Sequence, residues 1–175
     1  MSEGLGGSHL RIIYILVSLY YFNMKKIYKL IISILLPFLA SAIGGFFTAS
    51  SVSTWYVTLN KPAFNPPSWI FGPVWTILYL MIGMSLYLVW INKYNKIAFT
   101  VFGIQLFLNA LWSILFFGLQ NPLLALVEII FLWASIFITI IYFYKLNKIS
   151  AYLLVPYILW VTFAAILNFS IFILN

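Results

Sequence analysis

The chain contains no cysteine, a single histidine (His9) and only two acidic residues, Glu3 and Glu128, among its 175. Each scarcity removes a class of function. Without cysteine there is no disulfide framework, no thiol nucleophile and no cysteine-based metal site. The one histidine sits in the glycine-rich leader MSEGLGGSHL. That leaves no Ser-His-Asp triad and no histidine-based metal site within the hydrophobic body. Charge is equally sparse: charged residues make up 6%, against roughly 25% in a soluble domain. Such a chain cannot cover a water-facing surface. What it has instead is apolar, 65% hydrophobic and 21% aromatic, with a mean hydropathy of +1.12. The composition reads as one integral membrane domain built of transmembrane helix.

The net charge is +7, but the basic residues lie between apolar runs and form no patch. This argues against nucleic-acid binding and for a role in setting topology. Five runs are long enough to span: approximately Leu30–Ser50, Pro73–Ile91, Ala98–Phe117, Leu123–Phe143 and Ala151–Leu174. They are continuous, not alternating, so helices are the way to satisfy the backbone in lipid. The expected fold is an all-α integral membrane protein, a five-transmembrane-helix bundle with a structured first loop. Lys25, Lys26, Lys29, Lys93, Lys96, Lys145 and Lys148 fall on one side of such a bundle, and Lys61 alone on the other. By the positive-inside rule the N-terminus is inside, and the first loop and C-terminus are outside. Residues 1–23 read as an N-terminal extension, disordered or preceding the true start at Met24. The rival reading is a short interfacial or signal-like segment, since Leu10–Phe22 is shorter than the roughly 20 residues a span needs.

One stretch breaks the rhythm. WYVTLNKPAFNPPSWIFGPVW, from Trp55 to Trp75, holds four prolines, four Trp or Tyr residues and Lys61. Pro62, Pro66, Pro67 and Pro73 fix φ, so this long loop holds a shape. Its rings (Trp55, Tyr56, Phe64, Trp69, Phe71) need an apolar surface. Two readings stand: an interfacial aromatic belt, or a lid over a cavity at the outer end of the bundle.

Polar residues inside spans are few and tend to mark sites. Gln105, Asn109, Trp112 and Phe116 share one face of the third helix. Pro156, Trp160, Ala164 and Asn168 share a face of the fifth, and Trp75, Tyr79 and Gly83 a face of the second. The amides also serve as interhelical glue in a purely structural reading, and Gly44, Gly45, Gly83 and Ala164 as points of close packing. Glu128 reads as a neutral structural acid or a lysine partner; a proton relay needs more titratable groups. Three helices each pairing Trp with a small or amide residue make a pocket for a flat, aromatic, sparingly polar ligand.

These residues resemble the translocator protein family, also called tryptophan-rich sensory proteins or peripheral-type benzodiazepine receptors. The resemblance rests on WYVTLNKPAFNPPSWIFGPVWTILY (55–79), QLFLNALWSILFF (105–117), NPLLALVE (121–128) and PYILWVTFAAILN (156–168), in the family's order, and covers about 24–173. It implies a homodimer of five-helix subunits with the first loop folded over a ligand cavity. The implied ligands are porphyrins such as protoporphyrin IX or related tetrapyrroles, bound as ligand and not as cofactor, and synthetic isoquinolines and benzodiazepines. The implied pocket uses Tyr56, Pro66, Phe71, Trp75, Asn109, Trp112, Ile129, Trp160 and Ala164. Trp75 and Trp160 would be its facing walls and Asn109 its polar contact. Two departures matter. Phe64 stands where many members have Trp. The C-terminal run LNFSIFILN lacks the Tyr and basic residue of the animal sterol pattern, which puts cholesterol binding in doubt.

Three functions follow in order: a tetrapyrrole-binding sensor or transporter; an enzyme-like, light-dependent porphyrin degrader using a pocket Trp; and a lipid- or partner-binding scaffold. No acid–base pair, nucleophile or metal set supports ordinary catalysis. The Ile, Lys, Asn and Phe bias suggests an AT-rich bacterial genome and hence a bacterial inner membrane.

Overall fold

The computed structural model describes residues 4–175, with side chains from Met24 onward. Residues 1–23, the extension of the sequence reading, lie outside the described side chains, and His9 and Arg11 with them. Among the described residues the elements are α1 (Gly4–Ser51), α2 (Trp55–Thr58), a 3-10 turn (Ser68–Ile70), α3 (Phe71–Asn92), α4 (Lys96–Ser113), α5 (Pro122–Leu146), α6 (Lys148–Leu153) and α7 (Val155–Leu174). A π-helical turn, Ile114–Gly118, extends α4. Five stretches are long and apolar enough to cross a membrane: Met24–Ser51, Ser68–Asn92, Lys96–Gly118, Pro122–Leu146 and Lys148–Leu174. These are the five spans expected from the sequence, each a few residues longer. The protein is an all-helical, multi-pass membrane bundle.

Local chemistry sets the helix ends. The Asn95 side chain accepts from the Ala98 N–H (3.0 Å), Asn121 from Leu124 (3.0 Å) and Asn147 from Ser150 (3.1 Å). Each caps a helix start that leaves donors unmet, and Pro122 follows its cap at a position where a missing N–H costs nothing. The last span is not one helix. It breaks at Leu154 between α6 and α7. Pro156 has no N–H to return to the Tyr152 carbonyl, so the helical ladder is interrupted and restarts. At the other end of α4 the Leu119 N–H reaches back to the Ile114 carbonyl (2.8 Å). The wider turn brings Phe116 and Phe117 inward, both buried. Gln120, at φ 51°, then reverses the chain.

The helices pack α1 on α3 and α4, α4 on α5, and α5 on α7. The main core joins Ile82, Leu86 and Val89 of α3, Phe102 of α4, Ile129, Leu132, Ile136 and Phe143 of α5, and Tyr157 and Val161 of α7. Phe102 and Phe143 stack at 5.7 Å. Gly83 permits the closest approach. A Cβ there would lie 2.8 Å from the Ser33 carbonyl oxygen on α1. Large apolar residues such as Leu39, Phe107, Ile130 and Leu159 face outward, as a lipid-embedded bundle requires. The alternation of helices gathers every described lysine except Lys61 at one end, where Lys29 Nζ donates to the Trp90 carbonyl at 3.0 Å. The 52–67 loop, the 118–121 turn and the end of α7 share the other.

Candidate functional site: a lidded aromatic cavity

The loop after α1 is held in shape by its own bonds. Tyr56 Oη donates to Asn65 Oδ1 (2.7 Å), and the Asn65 N–H to the Pro62 carbonyl (2.9 Å). Lys61 Nζ donates to the Leu59 (3.0 Å) and Val57 (3.3 Å) carbonyls. The Ile70 N–H donates to the Pro67 carbonyl (3.0 Å). With Pro62, Pro66 and Pro67 restricting φ between these contacts, little conformational freedom remains to lose. The loop is also tied to the bundle. Ser51 Oγ donates to the Phe117 carbonyl (2.8 Å), and Asn60 exchanges bonds with Asn175. Tyr56 packs on Phe116 and Phe117. Burial raises its phenol above the usual tyrosine pKa.

Beneath this loop lies a cavity of about 630 Å³. Its walls are Ser41, Gly44, Gly45, Thr48 and Val52 of α1 and the chain just beyond it; Tyr56; and Ser68, Trp69, Phe71, Gly72, Trp75, Thr76 and Tyr79 leading into α3. Asn109, Trp112, Ser113, Phe116 and Phe117 close it on one side, and Trp160, Ala164, Leu167, Asn168 and Ile171 on the other. No wall residue carries a charge. The first loop therefore lies over a cavity.

Of the nine residues singled out from the sequence, the structure brings seven to this cavity: Tyr56, Phe71, Trp75, Asn109, Trp112, Trp160 and Ala164. Pro66 is in the loop but not on the wall. Ile129 is 1% exposed and packs in the main core. The residues that sequence reasoning missed come chiefly from α1. Ser41, Gly44, Gly45 and Thr48 recur at helical spacing, and of these the sequence reading takes only Gly44 and Gly45, as points of close packing. For Gly44 that holds, since a Cβ would meet Ser113 Oγ at 2.9 Å. A Cβ on Gly45 would meet nothing within 4 Å; this glycine opens space.

The polar groups of the wall are mostly engaged with each other. Tyr79 Oη donates to Asn109 Oδ1 (2.7 Å), and Asn109 Nδ2 donates to Tyr157 Oη (3.2 Å). Trp112 Nε1 donates to Asn168 Oδ1 (3.2 Å), whose Nδ2 donates to the Pro122 carbonyl (2.8 Å). Asn109 keeps one N–H beyond these bonds. The aromatic walls brace one another. Trp75 stacks on Tyr79 at 5.2 Å and meets Tyr157 edge-on, and Trp160 meets Phe71 edge-on at 6.0 Å. Such rings are fixed platforms for a flat, apolar ligand. Among the described residues no cluster of three His, Asp or Glu could hold a metal. Glu128 is buried off the cavity, with neither oxygen hydrogen-bonded.

The pattern of the TspO/MBR family matches residues 33–174. The chain belongs to this family. It is 51% identical to the tryptophan-rich protein TspO of Archaeoglobus fulgidus over 86% of this chain and 99% of that one. It is 44% identical to the tryptophan-rich protein TspO of Chlorobaculum tepidum, over 86% and 98%. It is 34% identical to the human translocator protein, over 78% and 84%. The matched span covers the cavity walls on every helix, with the lid between α1 and α3 inside it.

Proposed function

We propose that this protein binds a tetrapyrrole such as protoporphyrin IX in the cavity beneath the first loop, and acts as a membrane sensor or carrier in tetrapyrrole homeostasis. The observation that carries this reading is the uncharged, ring-lined cavity of about 630 Å³ under a braced lid. That volume falls within the roughly 300–1,000 Å³ of small-molecule sites. Its walls favour a flat apolar body, and the spare Asn109 N–H suits a single acceptor. The lysine-rich end faces the cytoplasm of a bacterium and the lid the other side, by the charge rule, and two copies associate through their lipid-facing helices.

Titration of protoporphyrin IX into the detergent-solubilised protein, followed by quenching of Trp fluorescence, tests the ligand assignment. Saturable quenching, weakened roughly three- to tenfold in Trp75→Phe or Trp160→Phe, is expected from the loss of an aromatic contact. Quenching that never saturates and ignores both substitutions means partition into detergent, and the assignment falls.

A second reading, light-dependent breakdown of the bound porphyrin, draws on one observation. Trp75 stacks on Tyr79, whose hydroxyl is bonded to Asn109. An indole oxidised by a photoexcited ring would have a phenol beside it to replace the electron. Product that forms only in light and is lost in Trp75→Phe separates this reading from binding alone.

A further inference from the structure

A cavity without charge poses a problem for a ligand that carries carboxylates. Burying an unpaired carboxylate in an apolar site is strongly unfavourable. If the cavity takes the flat body, the charged edge must lie where a cation can meet it. The bundle offers little choice. Most described lysines lie at the far end: Lys93 is fourteen residues beyond Tyr79, the deepest α3 residue of the wall, or roughly 21 Å at 1.5 Å per residue. At the lid end there is one described cation, Lys61.

Lys61 is not a loose surface lysine. Its Nζ lies 5.0 Å from the ring centroid of Tyr56, a wall residue, and donates to two carbonyls of its own loop. Two of its three N–H groups are thereby used, which fixes the position of the third. Its charge is not met by Glu128, the one described side-chain carboxylate, because neither oxygen of Glu128 has a hydrogen-bond partner. The head is half-buried against an aromatic face, where a cation interacts more strongly than in open water.

We infer that Lys61 is a specificity residue for the ligand's anionic edge: the cavity takes an apolar, planar body, and Lys61 above Tyr56 pairs with a carboxylate at the lid. The inference rests on the tetrapyrrole reading and adds an orientation to it, with carboxylates toward the lid and the opposite edge of the ring toward Tyr79 and Asn109.

The test compares two probes on the full-length protein: protoporphyrin IX, with its two carboxylates, and its dimethyl ester, the same planar body without charge. The parent should bind the dicarboxylate roughly three- to tenfold more tightly, and that preference should shrink as salt rises. Lys61→Gln, which keeps a donor but loses the charge, should erase the preference by weakening the dicarboxylate alone. Lys61→Arg should restore it. If Lys61→Gln weakens both probes equally, the side chain acts only by shaping the loop and the inference is overturned. A parent that binds both probes alike, or whose preference survives Lys61→Gln, overturns it too. If neither probe binds saturably to the parent, the tetrapyrrole reading itself fails. The salt dependence of the parent needs no variant, so it decides the matter even if Lys61→Gln does not fold.

Discussion

Asn60 and Asn175, 115 residues apart in sequence, hold each other by reciprocal bonds. The Asn60 N–H donates to Asn175 Oδ1 (2.9 Å) and Asn175 Nδ2 donates back to the Asn60 carbonyl (3.0 Å). Asn60 Nδ2 adds a bond to the Leu174 carbonyl (3.3 Å). One carboxamide thus pairs with the backbone of the lid as a neighbouring strand would, and pins the middle of the loop to the end of α7.

This contact is exposed, so its bonds compete with water and each is worth only about 0.5–1.5 kcal/mol. Asn175→Ala should therefore leave the bundle intact but loosen the lid. We expect faster porphyrin release, roughly three- to tenfold, with a melting temperature close to the parent's. Stopped-flow displacement measures the rate. An unchanged rate would mean the lid is held by Tyr56 and its aromatic contacts alone.

Tyr79, Asn109 and Tyr157 form a buried chain across α3, α4 and α7. Asn109→Leu would leave two phenol hydroxyls without that partner. Orphaned buried groups cost about 1–3 kcal/mol, although hydrogen bonds within membranes average nearer 0.6 kcal/mol. Thermal unfolding in detergent should show a loss of about 1–2 kcal/mol, with weaker ligand binding beside it. Weaker binding with no loss of stability would place Asn109 with the ligand only.

Glu128 gives a prediction of little or no effect. Both its oxygens are buried and neither is hydrogen-bonded, so no ion pair depends on its charge. Glu128→Gln keeps the shape and carries no charge. It should change stability by less than about 1 kcal/mol, where breaking a buried ion pair costs about 3–5 kcal/mol. A loss of that size in a melting experiment would show a partner for the carboxylate that the fold does not provide.

Much of this was legible in the sequence, because in lipid the constraint is severe. A run of twenty apolar residues has one way to satisfy its backbone. The face patterns Gln105–Asn109–Trp112–Phe116 and Pro156–Trp160–Ala164–Asn168 mapped largely onto the cavity because a helix preserves spacing. Gln105 and Pro156 are the exceptions: Gln105, fully buried, and Pro156, at the start of α7, lie off the wall. What spacing could not show is which partner a face meets. Ile129 shares a helix with Glu128 yet points into the main core, and Pro66 belongs to the lid but not to its inner side. The break at Leu154 and the wide turn after Ser113 are local departures from the helical period, and the second carries Phe116 and Phe117 under the lid. The contribution of α1 was hidden because glycine and serine look alike whether they admit a neighbouring helix or leave a space.

That last ambiguity yields the sharpest paired test, since Gly45 and Gly83 would be scored alike from sequence. At Gly83 a Cβ would sit 2.8 Å from the Ser33 carbonyl oxygen and 2.9 Å from Ile34 Cα, both backbone. Neither can move without separating α1 from α3, so Gly83→Ala should cost about 1–3 kcal/mol. At Gly45 there is nothing within 4 Å, and alanine is the better helix former by roughly 0.8–1.0 kcal/mol. Gly45→Ala should therefore melt at or above the parent's temperature while narrowing the cavity that Gly45 lines. Its signature would be unchanged or greater stability with weaker porphyrin binding, and Gly83→Ala should show reduced stability first. If Gly45→Ala destabilised the protein as much as Gly83→Ala, α1 would be closed against a neighbour there, and the cavity would lose that wall.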